Sequence, residues 1–229
     1  MSDQSLRRGA LRRAISGQLG LILVLAIAPA ALQAGIVRDV LASVGLAKPS
    51  PPPTSANGTP VFPRQGFACC NLHRDGGSIN DGNYAKYPMI PAGTPVEVIK
   101  YGRNEADIKI NGKPLRLVHD YGRDQETLDQ WVNKIVVNAD PTARIATYPP
   151  NVQAAIHDGK IVVGMTREQA IVAVGYPLTS ENASLEEPIW RMWRSSRGEY
   201  DLHFGDNGRV GSITGDDEVI PLMLWQPAH

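Results

Sequence analysis

Cysteine is scarce in this chain, with two residues in 229. That number excludes a disulfide scaffold and a closed all-cysteine zinc site. Net charge is absent as well, because 23 basic side chains balance 23 acidic ones. A protein that wraps nucleic acid needs a basic excess to neutralise phosphates, so no nucleic-acid partner is expected. No Gly-x-Ser-x-Gly, His-Glu-x-x-His or phosphate-loop motif occurs. The local signatures of many hydrolases, zinc proteases and nucleotide enzymes are therefore missing. What the chain does have is 22 glycines and 18 prolines. It reads as turn-rich, with a core held by apolar burial.

The first 34 residues read as a targeting segment. Arg7, Arg8, Arg12 and Arg13 precede the apolar run Leu19–Ala28, and small residues follow from Pro29 to Gly35. A basic start, a short apolar stretch and a small-residue end are the layout of a secretory signal. Ala28 and Ala30 suit a cleavage site. The alternative is an uncleaved anchor over Leu19–Val37, just under the roughly 20 residues that a span needs. Both readings export the remainder, to the periplasm or to a membrane-attached place in the cell envelope. Without residues 1–34, which hold four Arg and Asp3, 19 basic and 22 acidic side chains remain.

Residues 35–63 read as a tether. Pro49–Pro63 holds six prolines among Ser, Thr, Asn and Gly, a composition that favours extended polyproline geometry over a core. Residues 64–138 read as a small β-rich domain with a C-terminal helix. Val96–Tyr101, Ala106–Ile110 and Pro114–Val118 alternate as strands. Asn111-Gly112 is a strong hairpin signal. Leu128, Trp131, Val132 and Ile135 then share one helix face, and Asp124 is the expected cap.

Residues 139–150 are a connector, and 151–216 read as a second domain. A short helix over Asn151–Asp158 ends at Gly159. Thr166-Arg167-Glu168-Gln169 fits a capping box, and the helix it opens stops at Gly175 with Pro177 beyond. Ile189–Trp193, Tyr200–Phe204 and Val210–Ile213 alternate as three strands. The order ααβββ predicts two helices on one face of an antiparallel meander, a two-layer α+β unit. Residues 217–229 form a tail.

The segments Gly164–Pro177, Trp190–Trp193 and Tyr200–Val210 resemble the BamE/SmpA (OmlA) family of outer-membrane assembly lipoproteins. The matching positions are Gly164, Met165, Thr166, Gly175, Pro177, Trp190, Trp193, Phe204, Asp206, Gly208, Arg209 and Val210. The resemblance covers about 65 residues and implies a non-enzymatic envelope protein that needs no cofactor. It also implies partner proteins in outer-membrane β-barrel assembly, or lipid. Two departures stand out: no cysteine follows the apolar run, so the acylation site is missing, and a domain precedes the matched region. A second, shorter likeness joins Ala92–Ile99 and Ile110–Lys113 to bacterial SH3-like modules, which implies a small barrel and, as an alternative function, peptidoglycan binding.

Three clusters invite a chemical reading. Cys69, Cys70 and His73 form the candidate soft-metal or reactive-thiol site. Adjacent cysteines are not expected to bond to each other, since neighbouring Cα atoms lie nearer than a disulfide prefers. His119 and Asp120 supply a histidine–carboxylate pair that a cysteine nucleophile would need. Asp75–Asn83 has the composition of a calcium loop without its spacing or closing glutamate, and reads as a polar loop. No catalytic constellation emerges. Trp190 and Trp193 lie three apart, so a strand points them to opposite faces. One is expected in the core. The other, with Arg191 and Arg194, makes the candidate partner-binding group, because exposed aromatics and arginines anchor interfaces.

Overall fold

The computed structural model describes residues 62–227. The targeting segment and nearly all of the tether lie outside the described residues. Among the described residues eleven strands and five helices follow one another, and they build a mixed α+β structure with a curled sheet and a separate three-stranded sheet.

The curled sheet has six strands. These are β1 (Arg64–Ala68), β3 (Ser78–Asn80), β5 (Pro95–Tyr101), β6 (Glu105–Ile110), β7 (Lys113–Val118) and β8 (Val136–Val137), in the order β3-β7-β6-β5-β1-β8. All neighbours are antiparallel except β3 and β7. The alternation seen in sequence is a burial alternation: Val96, Val98, Ala106, Ile108, Ile110 and Leu117 line the inside. Asn111 (φ 52°) and Gly112 (φ 74°) turn β6 into β7, the left-handed pair that a two-residue hairpin requires. A two-stranded ribbon, β2 (Leu72–His73) with β4 (Met89–Ile90), lies apart from this sheet.

Helix α1 (Leu128–Ile135) buries the face anticipated from its spacing: Leu128, Trp131, Val132 and Ile135. Its cap is Thr127, not Asp124. Thr127 Oγ1 accepts from Gln130 N, and Gln130 Oε1 accepts from Thr127 N. Residues 122–126 are instead occupied by a turn in which Gln125 N and Glu126 N both donate to the Gly122 carbonyl, which keeps Asp124 outside the helix start.

The connector carries a single-turn helix, α2 (Thr142–Ile145). Next come α3 (Pro150–His157) and α4 (Arg167–Val174). The capping box of α4 is present as read, with Thr166 and Gln169 bonded reciprocally. Strands β9 (Ile189–Ser195), β10 (Gly198–Phe204) and β11 (Val210–Gly215) form the antiparallel order β11-β10-β9. Their inner face buries Trp190, Met192, Tyr200, Leu202, Phe204 and Val210, in one core with α3 and α4. A last helix, α5 (Ile220–Met223), buries Met223. Trp225 beyond it donates its indole N–H to Asp158 at 3.1 Å. The chain is thus packed as far as Trp225.

The described residues belong to one compact unit. Two asparagines tie the curled-sheet half to the helical half. Helix ends leave their last carbonyls without intrahelical donors, and α4 meets this need from outside itself. Asn71 N donates to Val172 O at 3.0 Å, Asn71 Nδ2 to Ala173 O at 3.0 Å, and Asn83 Nδ2 to Val174 O at 3.1 Å. Asn71 Nδ2 also reaches Ile156 O of α3 at 2.6 Å, while Asn71 Oδ1 accepts from Ala92 N. Asn83 closes the clasp with Asn71 O and His73 N. Gly175 (φ 90°) ends α4 beneath Asn83, and a Cβ there would collide with Asn83 Nδ2, so the position requires glycine on two grounds.

Candidate functional site

Cys69 and Cys70 sit just past β1, and the structure joins them in a vicinal disulfide. This corrects the expectation that neighbours would not bond. It also removes the thiolate that a soft-metal or nucleophile reading needs, since the thiolate, not the disulfide sulfur, is ligand and nucleophile. Among the described residues no group of three or more His, Cys, Asp or Glu side chains is placed to hold a metal ion. Cys70 is fully buried in the core cluster, and Cys69 packs at its border.

His73 lies on β2 at 5% exposure. Its ring faces Gly159, with Nε2 4.0 Å from where a Cβ on that glycine would stand. Nδ1 is buried and has no partner. Desolvation lowers the ring's pKa from 6.5 to about 4, since burial disfavours the charged form. The fold therefore favours neutral His73, and its contribution is complete above pH 6.5. As pH falls from 6.5 towards 4, the unfolded chain takes up the proton first and up to about 3 kcal/mol is lost. Chemical denaturation at pH 7 and pH 4 should show the native chain losing about that much more than His73→Gln. Equal losses in the two proteins would refute this account.

His119 and Asp120 do not act together. Asp120 is exposed, and the carboxylate that meets His119 is Asp81, from the loop after β3. Asp81 Oδ2 lies 2.9 Å from His119 Nδ1, and both residues are buried. The Asp81 carboxylate also accepts from the backbone N–H groups of Asp120, Tyr121 and Gly122. On the far side, His119 Nε2 lies 2.9 Å from Glu126 O. Trp131 of α1 stacks on the ring, with centroids 5.2 Å apart and planes 10° apart. Both ring nitrogens face oxygens of the chain itself. The arrangement is a clamp that pins loop 119–126 onto β3 and α1. The polar-loop reading of residues 75–83 fits this role, since Asp81 is turned towards amides and an imidazole rather than towards a cation.

The four residues of the candidate partner-binding group separate. Trp190 is fully buried and meets Phe204 edge-on at 4.6 Å, so it is the core tryptophan and touches no partner directly. Arg191 and Trp193 stand on the opposite, outer face of the sheet, alternating with buried Met192. Arg191 pairs with Asp201 at 3.2 Å and with Glu199 at 3.9 Å, and its backbone N–H and carbonyl are both held by Asn182. Trp193 is half-buried, and its indole N–H has no acceptor. Ile189, 45% exposed, and His203 extend the same face. Arg194 is elsewhere: with Arg197 it lines a cleft against Asp216, Asp217 and Glu218.

Sequence reasoning missed Asp81, Asn71 and Asn83. Each is a short polar residue inside a loop or ribbon, and nothing local marks it as buried. The only usable signal was the density of Asn and Asp between residues 71 and 83. The chain matches no family model, no curated protein and no solved structure.

Proposed function

We infer that this chain is a non-catalytic cell-envelope protein that binds partner proteins, and that the outer face of the β9–β11 sheet is its contact surface. The observation that carries the reading is Trp193: a half-buried aromatic beside Arg191 on a face that its own helices leave uncovered. Tryptophan and arginine are the residue types that anchor interfaces. Two further features support it. The basic start and apolar run of the chain fit export, and both ring nitrogens of His119, beside Asp81, face oxygens of the chain itself. The residues that resemble the BamE/SmpA family make the outer-membrane β-barrel assembly machinery the first partner to test. An SH3-like, peptidoglycan-binding role for the curled sheet is the alternative.

Capture from Gram-negative envelope extracts tests the reading. The native chain should retain barrel-assembly subunits. Trp193→Ala should lose them while its stability changes by less than about 2 kcal/mol, because a half-buried side chain forfeits only part of its burial energy. Retention by Trp193→Ala, or no assembly subunit with either protein, would reject this surface. Sedimentation of either protein with purified peptidoglycan would favour the alternative.

A further inference from the structure

The mouth of the curled sheet holds an apolar cleft of about 300 Å³. It lies between the ribbon strand β4 and the β6–β7 hairpin. Ile90 and Ile110 are its buried floor, and Met89, Pro91 and Leu115 are its walls. Two cations stand at it, Arg74 and Lys113. Neither is in an ion pair among the described residues; the one bond of the Arg74 guanidinium is to the Gly76 carbonyl at 3.2 Å. No acidic side chain lines the cleft. Its volume is at the lower end of the range for small-ligand sites, and a barrel mouth is a common place for one.

Buried aliphatic walls select an aliphatic ligand, since transfer of apolar surface out of water is the driving force. Two unpaired cations with no carboxylate beside them select an anion at the open end. We propose that this cleft binds a single-chain anionic amphiphile, a free fatty-acid carboxylate with its chain on Ile90, Ile110 and Leu115 and its head between Arg74 and Lys113. The site does not depend on the sheet-face reading above, because none of its residues lies in β9–β11 or in the helices beneath them.

Calorimetric titration of the full chain with decanoate, dodecanoate and tetradecanoate, each below its micellar concentration, tests the proposal. Dodecanoate should bind saturably, one per chain. Affinity should rise about fourfold per added methylene until the cleft is filled. Dodecanol should bind about fivefold more weakly, a difference that shrinks as salt screens the head. The pair Arg74→Gln and Lys113→Gln, at two exposed positions, should weaken dodecanoate about fivefold and leave dodecanol unchanged. Leu115→Asn should weaken both. The proposal is overturned if no saturable binding is found, or if dodecanol binds as well as dodecanoate. It is equally overturned if the charge variants bind dodecanoate like the native chain, which would place the ligand elsewhere. Binding only to phosphatidylglycerol vesicles would reject a cleft for a free chain in favour of a membrane-surface contact.

Discussion

Asn71→Ala should lower the stability of this chain by about 5 kcal/mol. The side chain makes three hydrogen bonds, to Ile156 O, Ala173 O and Ala92 N, and the residue is 1% exposed. Alanine leaves the Ala173 carbonyl and the Ala92 N–H without partners, at about 1–3 kcal/mol each. It also removes one of the bonds to Ile156 O, which keeps the Gly159 N–H, at about 1 kcal/mol more. Ala173 lies in the last turn of α4, where no intrahelical donor can replace the lost one. Urea denaturation of the native chain and the variant measures the difference. Asn71→Asp sharpens the test. It keeps the shape but turns an oxygen towards two carbonyls, so it should cost at least as much as alanine. A loss under about 1 kcal/mol in both variants would mean that water satisfies these groups and that the clasp contributes little.

Asp81→Asn should cost about 4 kcal/mol. The carboxylate accepts from the His119 ring and from three backbone N–H groups. An amide in its place keeps one acceptor oxygen and presents an NH2 to donors. It also leaves the buried ring facing one acceptor instead of two. Removing one member of a buried, hydrogen-bonded pair costs about 3–5 kcal/mol, mostly because of what the survivor loses. His119→Gln should be nearly as harmful, and the double variant should cost well under the sum, since the two residues share one network. Additive losses would show that Asp81 acts on the loop amides alone. Amide exchange at residues 120–122 should speed up in Asp81→Asn, because those amides lose the carboxylate that holds them.

The two helices with strong local signals are instructive about what can be read in advance. Thr166 and Gln169 lie where a capping box needs them, and they form it. In α1 the buried face follows the spacing, yet the cap falls three residues later than Asp124. Asp124 and Thr127 are both good caps in isolation. The choice depends on the turn at Gly122, and that turn is set by Asp81, which is 41 residues away from Gly122. Likewise Trp190 and Trp193 are equal in sequence. Alternation puts them on opposite faces, but only the position of α3 and α4 makes one of those faces the core.

The sequence by itself determined the elements that answer to local physics. These are the alternating strands of both sheets, the Asn111-Gly112 hairpin, the helix that Thr166 opens and Gly175 closes, and the absence of the common catalytic motifs. Each rests on a periodicity or a turn conformation that neighbouring residues impose. Tertiary structure decided what single polar side chains do. Asn71, Asn83 and Asp81 have the composition of loop residues, and each became buried because a backbone group from a distant segment needed a partner there. The same holds for Cys69 and Cys70, whose pairing depends on the local backbone, and for the cleft between Arg74 and Lys113. Those two cations are 39 positions apart, and only the ribbon and the hairpin bring them to one mouth. Burial and partnership at a polar residue are properties of the whole chain's arrangement, so no local window contains them.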